Sequence, residues 1–243
     1  MYVLTIRQNN TYFTLFFFCD MMTLGGESMR DIPMFTTENG IASLILSEIP
    51  YNRKAYIRIH DSCMPDALLQ ECYDFCKMAG AETIYAGGDP VVVQYPHHTD
   101  VLEMCRSCEE LPETDAKLVS LQKEMLENWR DLYNSNMRNV LGASFMTITK
   151  AEEILSKGIG YLIYRDDKLI GIGIAQEDRI DCVVSLIPGS GRDVLVALCG
   201  VLTGERIVLE VASTNKRAVS LYEKLGFVQT EVKFSWYQIH LSQ

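Results

Sequence analysis

The sequence has no cluster of basic residues. Its formal net charge at pH 7 is −10, with 22 Lys and Arg against 32 Asp and Glu. Binding to phosphate groups requires clustered cations, so this balance argues against a nucleic acid or an anionic membrane as a partner. A cationic partner, such as an amine, is not repelled by such a surface.

The sequence also has no apolar run long enough to cross a bilayer. The longest candidate, "YFTLFFFCDMM", is interrupted by Asp20, has no basic segment before it and has no small-residue cleavage site after it. We therefore expect a buried strand there. Eight cysteines without a secretion signal indicate free thiols in a reducing compartment, and we expect a cytoplasmic protein.

The cysteines lack the partners of a structural metal site. Cys105 and Cys108 have metal-ligand spacing and follow His97 and His98, but the same spacing fits one apolar face of a helix. A structural zinc site usually recruits a second ligand pair at matching spacing, and none is found. We expect these cysteines to fill the core and no metal to bind, with a zinc site as the alternative.

The elements predicted by hydrophobic periodicity occur twice in the same order: hairpin, strand, helix, strand, helix. The first copy is "MFTTENGIASLILSEI", "AYIRI", "MPDALLQECYDFCKMAG", "TIYAG" and "TDVLEMCRSCEEL". The second copy is "YLIYRDDKLIGIGIA", "IDCVVSLI", "RDVLVALCGVL", "RIVLEVA" and "KRAVSLYEKL". The order mixes antiparallel pairs with one parallel crossover, which indicates a mixed α/β (α+β) fold class.

Further predicted elements precede the second copy. "AKLVSL" is predicted as a strand, "KEMLENWRDLYNSNM" as a helix, and "TKAEEILSKG" as a helix with a capping box from Thr149 to Glu152 and an end at Gly158. The polar segment 109–115 is the predicted linker. We expect two domains, 1–110 and 111–243, each a twisted mixed sheet flanked by helices.

The stretch "VLEVASTNKRAVSLYEKLGF" near the end of the sequence contains candidate functional residues on a predicted strand, turn and helix. A strand runs into Ser213-Thr214-Asn215, whose side chains can cap a helix, and Gly226 ends that helix. Tyr222 falls on or beside the buried stripe of the helix. From these residues alone, Tyr222 is either a core aromatic or a functional hydroxyl.

The order of elements in residues 115–243, together with this stretch, resembles the GCN5-related N-acetyltransferase (GNAT) superfamily. The whole sequence is similar to a tandem GNAT protein in which the first domain keeps the fold and the second keeps the chemistry. The resemblance implies that Tyr222 protonates the departing thiolate of coenzyme A, that Asn215 helps to hold the cosubstrate or a water near the amine, and that Glu210 is a general base that acts through water. It also implies acetyl-CoA as cosubstrate and no metal.

The expected cosubstrate site lies in "SLIPGSGRDVL". Taken alone, this segment is a generic turn into a helix, but a glycine-containing loop at a helix N-terminus can also bind a pyrophosphate. Leu186 stands where the family usually has Gln or Arg. The resemblance implies thioester and pantetheine contacts from the backbone of Ser185 to Ile187. The complete expected cosubstrate set is Ser185, Leu186, Ile187, Gly189, Ser190, Gly191, Arg192, Asp193 and Asn215.

The first copy has none of these features. No glycine precedes its first helix, Asp61 and Asp66 would repel a pyrophosphate, and its last element offers neither the asparagine nor the tyrosine. We expect a degenerate domain that shapes the substrate cleft or covers a sheet edge.

Three functions fit the sequence. The first is an acetyl-CoA-dependent N-acetyltransferase that acts on a small-molecule or peptide amine by direct transfer in a ternary complex. The second is a non-catalytic acyl-CoA-binding, sensing or protein-interaction module, and the third is a purely structural protein. The acceptor, the acyl-chain length and the oligomeric state, including a homo-oligomer, are left open by the sequence.

Overall fold

The computed structural model describes residues 2–8, 11–17, 34–109, 111–138, 140 and 143–241, with only the backbone of 2–8 and 11–17. Its contacts divide the chain into two compact units, Met1–Thr99 with Phe234–Gln243, and Asp100–Lys233. The last residues of the chain thus belong to the first unit. The predicted domains, 1–110 and 111–243, stay predictions.

The first unit is a mixed sheet with one long helix. Its elements are β1 (Tyr2–Gln8), β2 (Thr11–Phe17), β3 (Met34–Thr37), β4 (Gly40–Ile45), α1 (Ile49–Asn52), β5 (Lys54–Ser62), α2 (Pro65–Met78) and β6 (Thr83–Gly87). The strands lie in this order and are antiparallel, except that β5 and β6 are parallel. The buried face of α2 packs on the sheet.

The second unit begins within the strand β7 (His97–Ser107). Its further elements are β8 (Lys117–Ser120), α3 (Leu126–Met137), α4 (Ile148–Lys157), β9 (Gly160–Arg165), β10 (Lys168–Gln176), β11 (Arg179–Ser185), α5 (Gly191–Cys199), β12 (Arg206–Ala212), α6 (Lys216–Lys224) and β13 (Val228–Ile239). The strand order is β7-β12-β11-β10-β9-β8, and only β11 and β12 are parallel. From Phe234 onward, β13 belongs to the first unit and pairs with β6.

Helices cover both faces of the sheet of the second unit. Trp129 of α3 is buried in a cluster with Cys182 and Val184 of β11, whereas α5 and α6 form a second cluster with Leu209 and Val211 of β12. The helix α5 lies directly on β10, because Gly171 and Gly173 have no side chain and a Cβ atom there would collide with Val194 and Leu198. The predicted mixed fold class is confirmed.

Two local predictions are wrong. The segment predicted as the helix "TDVLEMCRSCEEL" forms most of β7, because pairing with β12 from Val101 to Ser107 satisfies its backbone as a strand. The capping box from Thr149 to Glu152 is absent, since Thr147 caps α4 by accepting a hydrogen bond from the amide of Lys150 at 3.2 Å. The predicted end at Gly158 is confirmed by its left-handed backbone.

Among the described residues, no helix has both the length and the apolar character needed to span a membrane. The strand predicted in "YFTLFFFCDMM" is observed up to Phe17, and the rest of that segment lies outside the described residues.

Candidate functional site

The strands β11 and β12 separate soon after they begin. Their pairing is limited to Arg179 with Val208 and Ile180 with Leu209, although β11 continues to Ser185 and β12 to Ala212. A β-bulge lies at this point, because the register between β10 and β11 shifts around Asp181. Bulges bend a strand and increase its twist. The sheet therefore has an opening between the carboxyl ends of these two parallel strands.

The opening exposes backbone groups of β11. The amide of Leu186 donates to the carbonyl oxygen of Ile170 at 2.9 Å, on the β10 side. Since backbone groups alternate between the two edges of a strand, those of Val183 and Ser185 point away from β10, towards the side that β12 has left. Leu186, which the sequence places in the cosubstrate site, therefore has its amide already engaged.

The loop after β11 is fixed by the hydroxyl of Ser190, which is fully buried. Its Oγ lies 2.8 Å from the carbonyl oxygen of Ile187, 3.0 Å from that of Ile170 and 2.9 Å from Oγ of Ser185. Gly189 has a left-handed backbone with φ of 88°, which favours glycine. Ser190 and Ile187 thus shape the loop through contacts within the chain.

The first turn of α5 presents unpaired amides. In the described structure, the amides of Gly191, Arg192 and Asp193 donate to no group of the chain. The first amides of any helix lack a partner within the helix, and the helix dipole adds a partial positive charge there. Gly191 also faces α6, since a Cβ atom on it would lie 3.2 Å from Leu221 Cδ2. These donors can bind an anion.

The charged side chains of this turn are engaged with each other. The carboxylate of Asp193 forms an ion pair with Arg165, contacts Arg192 at 3.1 Å and accepts a hydrogen bond from Thr114 at 3.2 Å. The guanidinium of Arg192 also donates to the carbonyl oxygen of Glu113 at 3.3 Å. Two arginines thus surround one carboxylate at the N-terminal end of α5. The sequence reasoning missed Arg165.

Tyr222 lies on the buried face of α6, 8% exposed, with its ring centroid 5.9 Å from that of Phe227. Burial, and then the electrostatic effect of Cys182 on β11, raise the pKa of Tyr222 well above its ordinary value. The hydroxyl therefore keeps its proton at neutral pH. It makes no hydrogen bond within the described residues, so it remains a donor for another group.

Asn215 is the N-cap of α6. Its side-chain oxygen accepts a hydrogen bond from the amide of Ala218 at 3.2 Å, and its own amide donates to the carbonyl oxygen of Ala212 at 2.8 Å. Of the three predicted cap residues, Ser213, Thr214 and Asn215, it is therefore Asn215 that caps the helix. This contact gives Asn215 a structural role, whatever else it binds.

Glu210 lies on the face of β12 opposite to Tyr222. Leu209 and Val211 join the core under α5 and α6, so alternation directs Glu210 to the other face. There its Oε1 lies 2.6 Å from Nη2 of Arg179, and its side chain is 29% exposed. The two residues expected to be catalytic therefore lie on opposite faces of the sheet.

A surface cavity of about 560 Å³ lies at the other end of β12, lined by residues that include Cys105, Arg106, Asp178, Arg206 and Thr230. None of the predicted site residues lines it. No group of three metal-ligating side chains is found in the part of the chain that the structure describes.

Among the described residues of the first unit, no such opening is found. Its parallel strands β5 and β6 pair over five positions, from Lys54 with Thr83 to Arg58 with Gly87. The amides of Cys63 and Met64, which precede α2, donate to the carbonyl oxygen of Asn39 at 3.1 and 3.3 Å. A carbonyl of the chain itself thus occupies these donors.

Comparisons with known proteins give matches among solved structures only. No family model and no curated protein matches the chain. A GCN5-related N-acetyltransferase from Sphaerobacter thermophilus is 11% identical and superposes with a TM-score of 0.56 over 88% of this chain and 82% of that protein. A GNAT-family acetyltransferase from Colwellia psychrerythraea is 12% identical, with a TM-score of 0.50 and 86% of each chain covered.

A conserved protein of unknown function from Staphylococcus epidermidis is 11% identical, with a TM-score of 0.55 over 88% of this chain and 97% of that protein. Identities this low are informative about the fold alone. The strand order of the second unit, the opening between its parallel strands and these superpositions agree: the chain has the fold of the GCN5-related N-acetyltransferases.

Proposed function

We propose that this chain is an acetyl-CoA-dependent N-acetyltransferase that transfers an acetyl group directly to a primary amine in a ternary complex. The observation that carries the proposal is the opening between β11 and β12, which leaves the backbone groups of Val183 and Ser185 without a partner strand. A pantetheine arm contains amides that can hydrogen-bond such groups, as an added strand would.

The first turn of α5 supports the same function. The free amides of Gly191, Arg192 and Asp193 suit a pyrophosphate. The carboxylate of Asp193 opposes an anion, but Arg165 and Arg192 offset it. The residues present therefore fit the phosphate end of coenzyme A through backbone donors and two guanidinium groups.

The proposed reaction uses Glu210 as a proton acceptor and Tyr222 as a proton donor. An alkyl amine has a pKa of about 10.4 and must lose a proton to become a nucleophile. Glu210 accepts that proton, directly or through water. The amine nitrogen then forms the new bond to the acetyl carbon and releases its second proton to solvent, the bond from that carbon to sulfur breaks, and Tyr222 donates its proton to the departing sulfur and regains one from solvent.

The first unit is proposed to be a degenerate GNAT-like domain in a tandem arrangement. It repeats the order hairpin, strand, helix and strand of the second unit. Its parallel strands are paired over five positions, Pro65 has no amide hydrogen to donate at the start of α2, and the carboxylate of Asp66 in the first turn opposes an anion, all of which disfavours acyl-CoA binding there. Its proposed role is to shape the acceptor site or to cover a sheet edge.

The acceptor is proposed to be a small-molecule or peptide amine. The net charge of −10 favours a cationic acceptor over a nucleic acid or an anionic membrane. We propose a cytoplasmic location.

A second candidate function is a non-catalytic acyl-CoA-binding module. The observation that favours it is that Glu210 and Arg192 already have ionic partners within the chain, and that the side-chain oxygen of Asn215 is used as a helix cap. Such a protein would bind the cosubstrate without turning it over.

Calorimetry and a thiol-release assay separate these functions. The purified chain is titrated with acetyl-CoA, coenzyme A and ADP, and turnover is then measured with aliphatic amines, polyamines and lysine peptides. An enzyme binds acetyl-CoA at micromolar concentration, binds ADP much more weakly because it lacks the pantetheine arm, and releases thiol with at least one amine. Binding without turnover on any acceptor supports the second candidate. Absence of acetyl-CoA binding overturns both.

A further inference from the structure

Arg179 lies at the point where the two parallel strands of the second unit separate. It pairs with Val208 in one of the two positions at which β11 and β12 are joined. Its side chain is 23% exposed and contacts carboxylates from both strands. The sequence reasoning assigned no role to it.

One guanidinium bridges two carboxylates. Its Nη2 lies 2.6 Å from Oε1 of Glu210 on β12, and its Nε lies 3.0 Å from Oδ1 of Asp181 on β11. Asp181 is the residue of the β-bulge, and its other oxygen accepts a hydrogen bond from Nε2 of Gln176 at 3.1 Å. Because a guanidinium carries several donors in a fixed plane, it can hold both groups at once, which a lysine cannot do with the same geometry.

Burial and the neighbouring charges change the pKa values of Arg179 and Asp181. Burial lowers the pKa of Arg179, but hydrogen bonds and charges of Glu210 and Asp181 outweigh it and raise that pKa, so the guanidinium stays charged. The pKa of Asp181 is raised overall. Burial raises it most and the charge of Glu210 adds to this, whereas Arg179 and the hydrogen bond from Gln176 lower it. Asp181 therefore competes with Glu210 for the same cation.

A third carboxylate faces this group from β7. Glu103 is the cross-strand partner of Glu210, and it has its own contacts with Thr230 at 2.9 Å and Lys233 at 3.2 Å on β13. The charged groups around Glu210 are therefore Arg179 and Asp181 on β11, Glu103 on β7 and Lys233 on β13. Among them, Arg179 alone forms an ion pair with Glu210.

We propose that Arg179 is a positioning residue for the proton acceptor Glu210: its guanidinium pairs with the Glu210 carboxylate and orients it at the point of strand separation, and Asp181 limits that effect by sharing the guanidinium. This inference rests on the proposed function. It predicts opposite effects of two substitutions on the pH dependence, which a merely structural ion pair would not produce.

The test is the rate–pH profile of kcat/KM, measured with one acceptor amine throughout so that the titration of the acceptor is common to all variants. Arg179→Gln removes the cation, and we expect the acidic limb to move to higher pH by about one unit, which is about tenfold lower kcat/KM on that limb. Asp181→Asn removes the competing anion, and we expect the limb to move to lower pH. Arg179→Lys is expected to fall between Arg179→Gln and the wild type.

Two exposed residues supply matched controls. Arg206→Gln removes a positive charge from β12, and Glu205→Gln removes a negative charge beside it, so neither is expected to move the limb. Acetyl-CoA affinity, measured by calorimetry, is expected to stay unchanged in Arg179→Gln. If Arg179→Gln unfolds, Asp181→Asn keeps the ion pair between Arg179 and Glu210 and still gives the shift of opposite sign.

Failure of this inference differs from failure of the proposed function. If Glu210→Gln removes the acidic limb, but neither Arg179→Gln nor Asp181→Asn moves it, then Arg179 is only a structural ion-pair partner and the inference is overturned. If Glu210→Gln leaves the limb in place, Glu210 is not the proton acceptor, and both its proposed role and this inference fall, whereas the measured turnover still supports the acetyltransferase function. Opposite shifts in the two variants support the inference.

Discussion

Glu103 and Glu210 lie directly opposite each other on the adjacent antiparallel strands β7 and β12. Like charges in such a cross-strand pair are destabilising. Each carboxylate has a cation of its own, Arg179 for Glu210 and Lys233 for Glu103. Two acidic side chains can therefore lie side by side on one face of the sheet, because each forms an ion pair with a different cation.

Glu103→Gln is predicted to lower the stability of the second unit at neutral pH but not in acid. Burial raises the pKa of Glu103, but hydrogen bonds from Thr230 and Lys233, with the charges of Lys233 and Arg179, outweigh it and lower the pKa below its ordinary value. A carboxylate whose pKa is lower in the folded state than in the unfolded state stabilises the fold at pH values above its unfolded-state pKa, which is about 4.3. This stabilisation is lost as the pH falls through the folded-state pKa.

Urea denaturation at pH 7 and at about pH 3 measures this prediction. The midpoint of Glu103→Gln is expected to lie below that of the wild type at pH 7, and the two are expected to converge at pH 3. Glu205→Gln, an exposed control, should match the wild type at both values. A difference that persists at pH 3 would show that packing, and not charge, is responsible.

The sequence was sufficient to predict elements whose periodicity is local. The helices α2, α5 and α6 and the hairpin of β9 and β10 follow from apolar spacing and turn residues, and Asp166 and Asp167 have the positive φ angles that a tight hairpin turn requires. The strand β7 was missed because its apolar residues also fit a helical face. This segment forms a strand and not a helix because it pairs with β12, which is about a hundred residues away in sequence.

The candidate site was predictable only in part, for a similar reason. Tyr222 and Asn215 lie on one helix whose caps and buried face are local features. The roles of Val183, Arg165 and Arg179 depend on which strands pair, where β11 leaves β12 and which side chains then meet. Nothing in the spacing of single residues along the chain specifies those contacts.

Acetyl-CoA is predicted to slow amide hydrogen exchange in the second unit only. The amides of residues 183–193 lie along the opening and the first turn of α5, whereas in residues 61–66 the donors of Cys63 and Met64 already bind Asn39. Exchange measured by mass spectrometry with and without acetyl-CoA provides the test. Equal protection of 61–66 would contradict the assignment of the first unit as degenerate.

Substitutions of Asn215 are predicted to separate capping from cosubstrate binding. Asn215→Ala removes the acceptor for the amide of Ala218 and is expected to cost about 1 kcal/mol in the free energy of unfolding. Asn215→Ser keeps a capping oxygen, so stability should be retained. If Asn215 also holds the cosubstrate, Asn215→Ser still weakens acetyl-CoA binding in calorimetry, and unchanged affinity would leave Asn215 with the cap alone.

Tyr222→Phe is predicted to lower kcat by roughly 10²–10⁴ while folding and acetyl-CoA binding are retained. The substitution keeps the ring that packs against Phe227 and removes only the hydroxyl. Because the raised pKa of Tyr222 keeps that hydroxyl protonated at neutral pH, it can donate to the departing sulfur throughout the physiological range. Steady-state kinetics, calorimetry and thermal unfolding on the same preparation measure the three quantities.

A purely structural Tyr222 would give a different result. Because its hydroxyl makes no hydrogen bond within the described residues, Tyr222→Phe would then change the free energy of unfolding by less than about 1 kcal/mol and leave the rate nearly unchanged. Tyr73→Phe, on the helix α2 of the first unit, is the matched control, because it removes a hydroxyl from a half-buried ring far from α6 in sequence and should alter no kinetic constant. If Tyr222→Phe retains full turnover on an amine that the wild type acetylates, the proton for the sulfur comes from another group, and the role assigned to Tyr222 is wrong even though the fold is right.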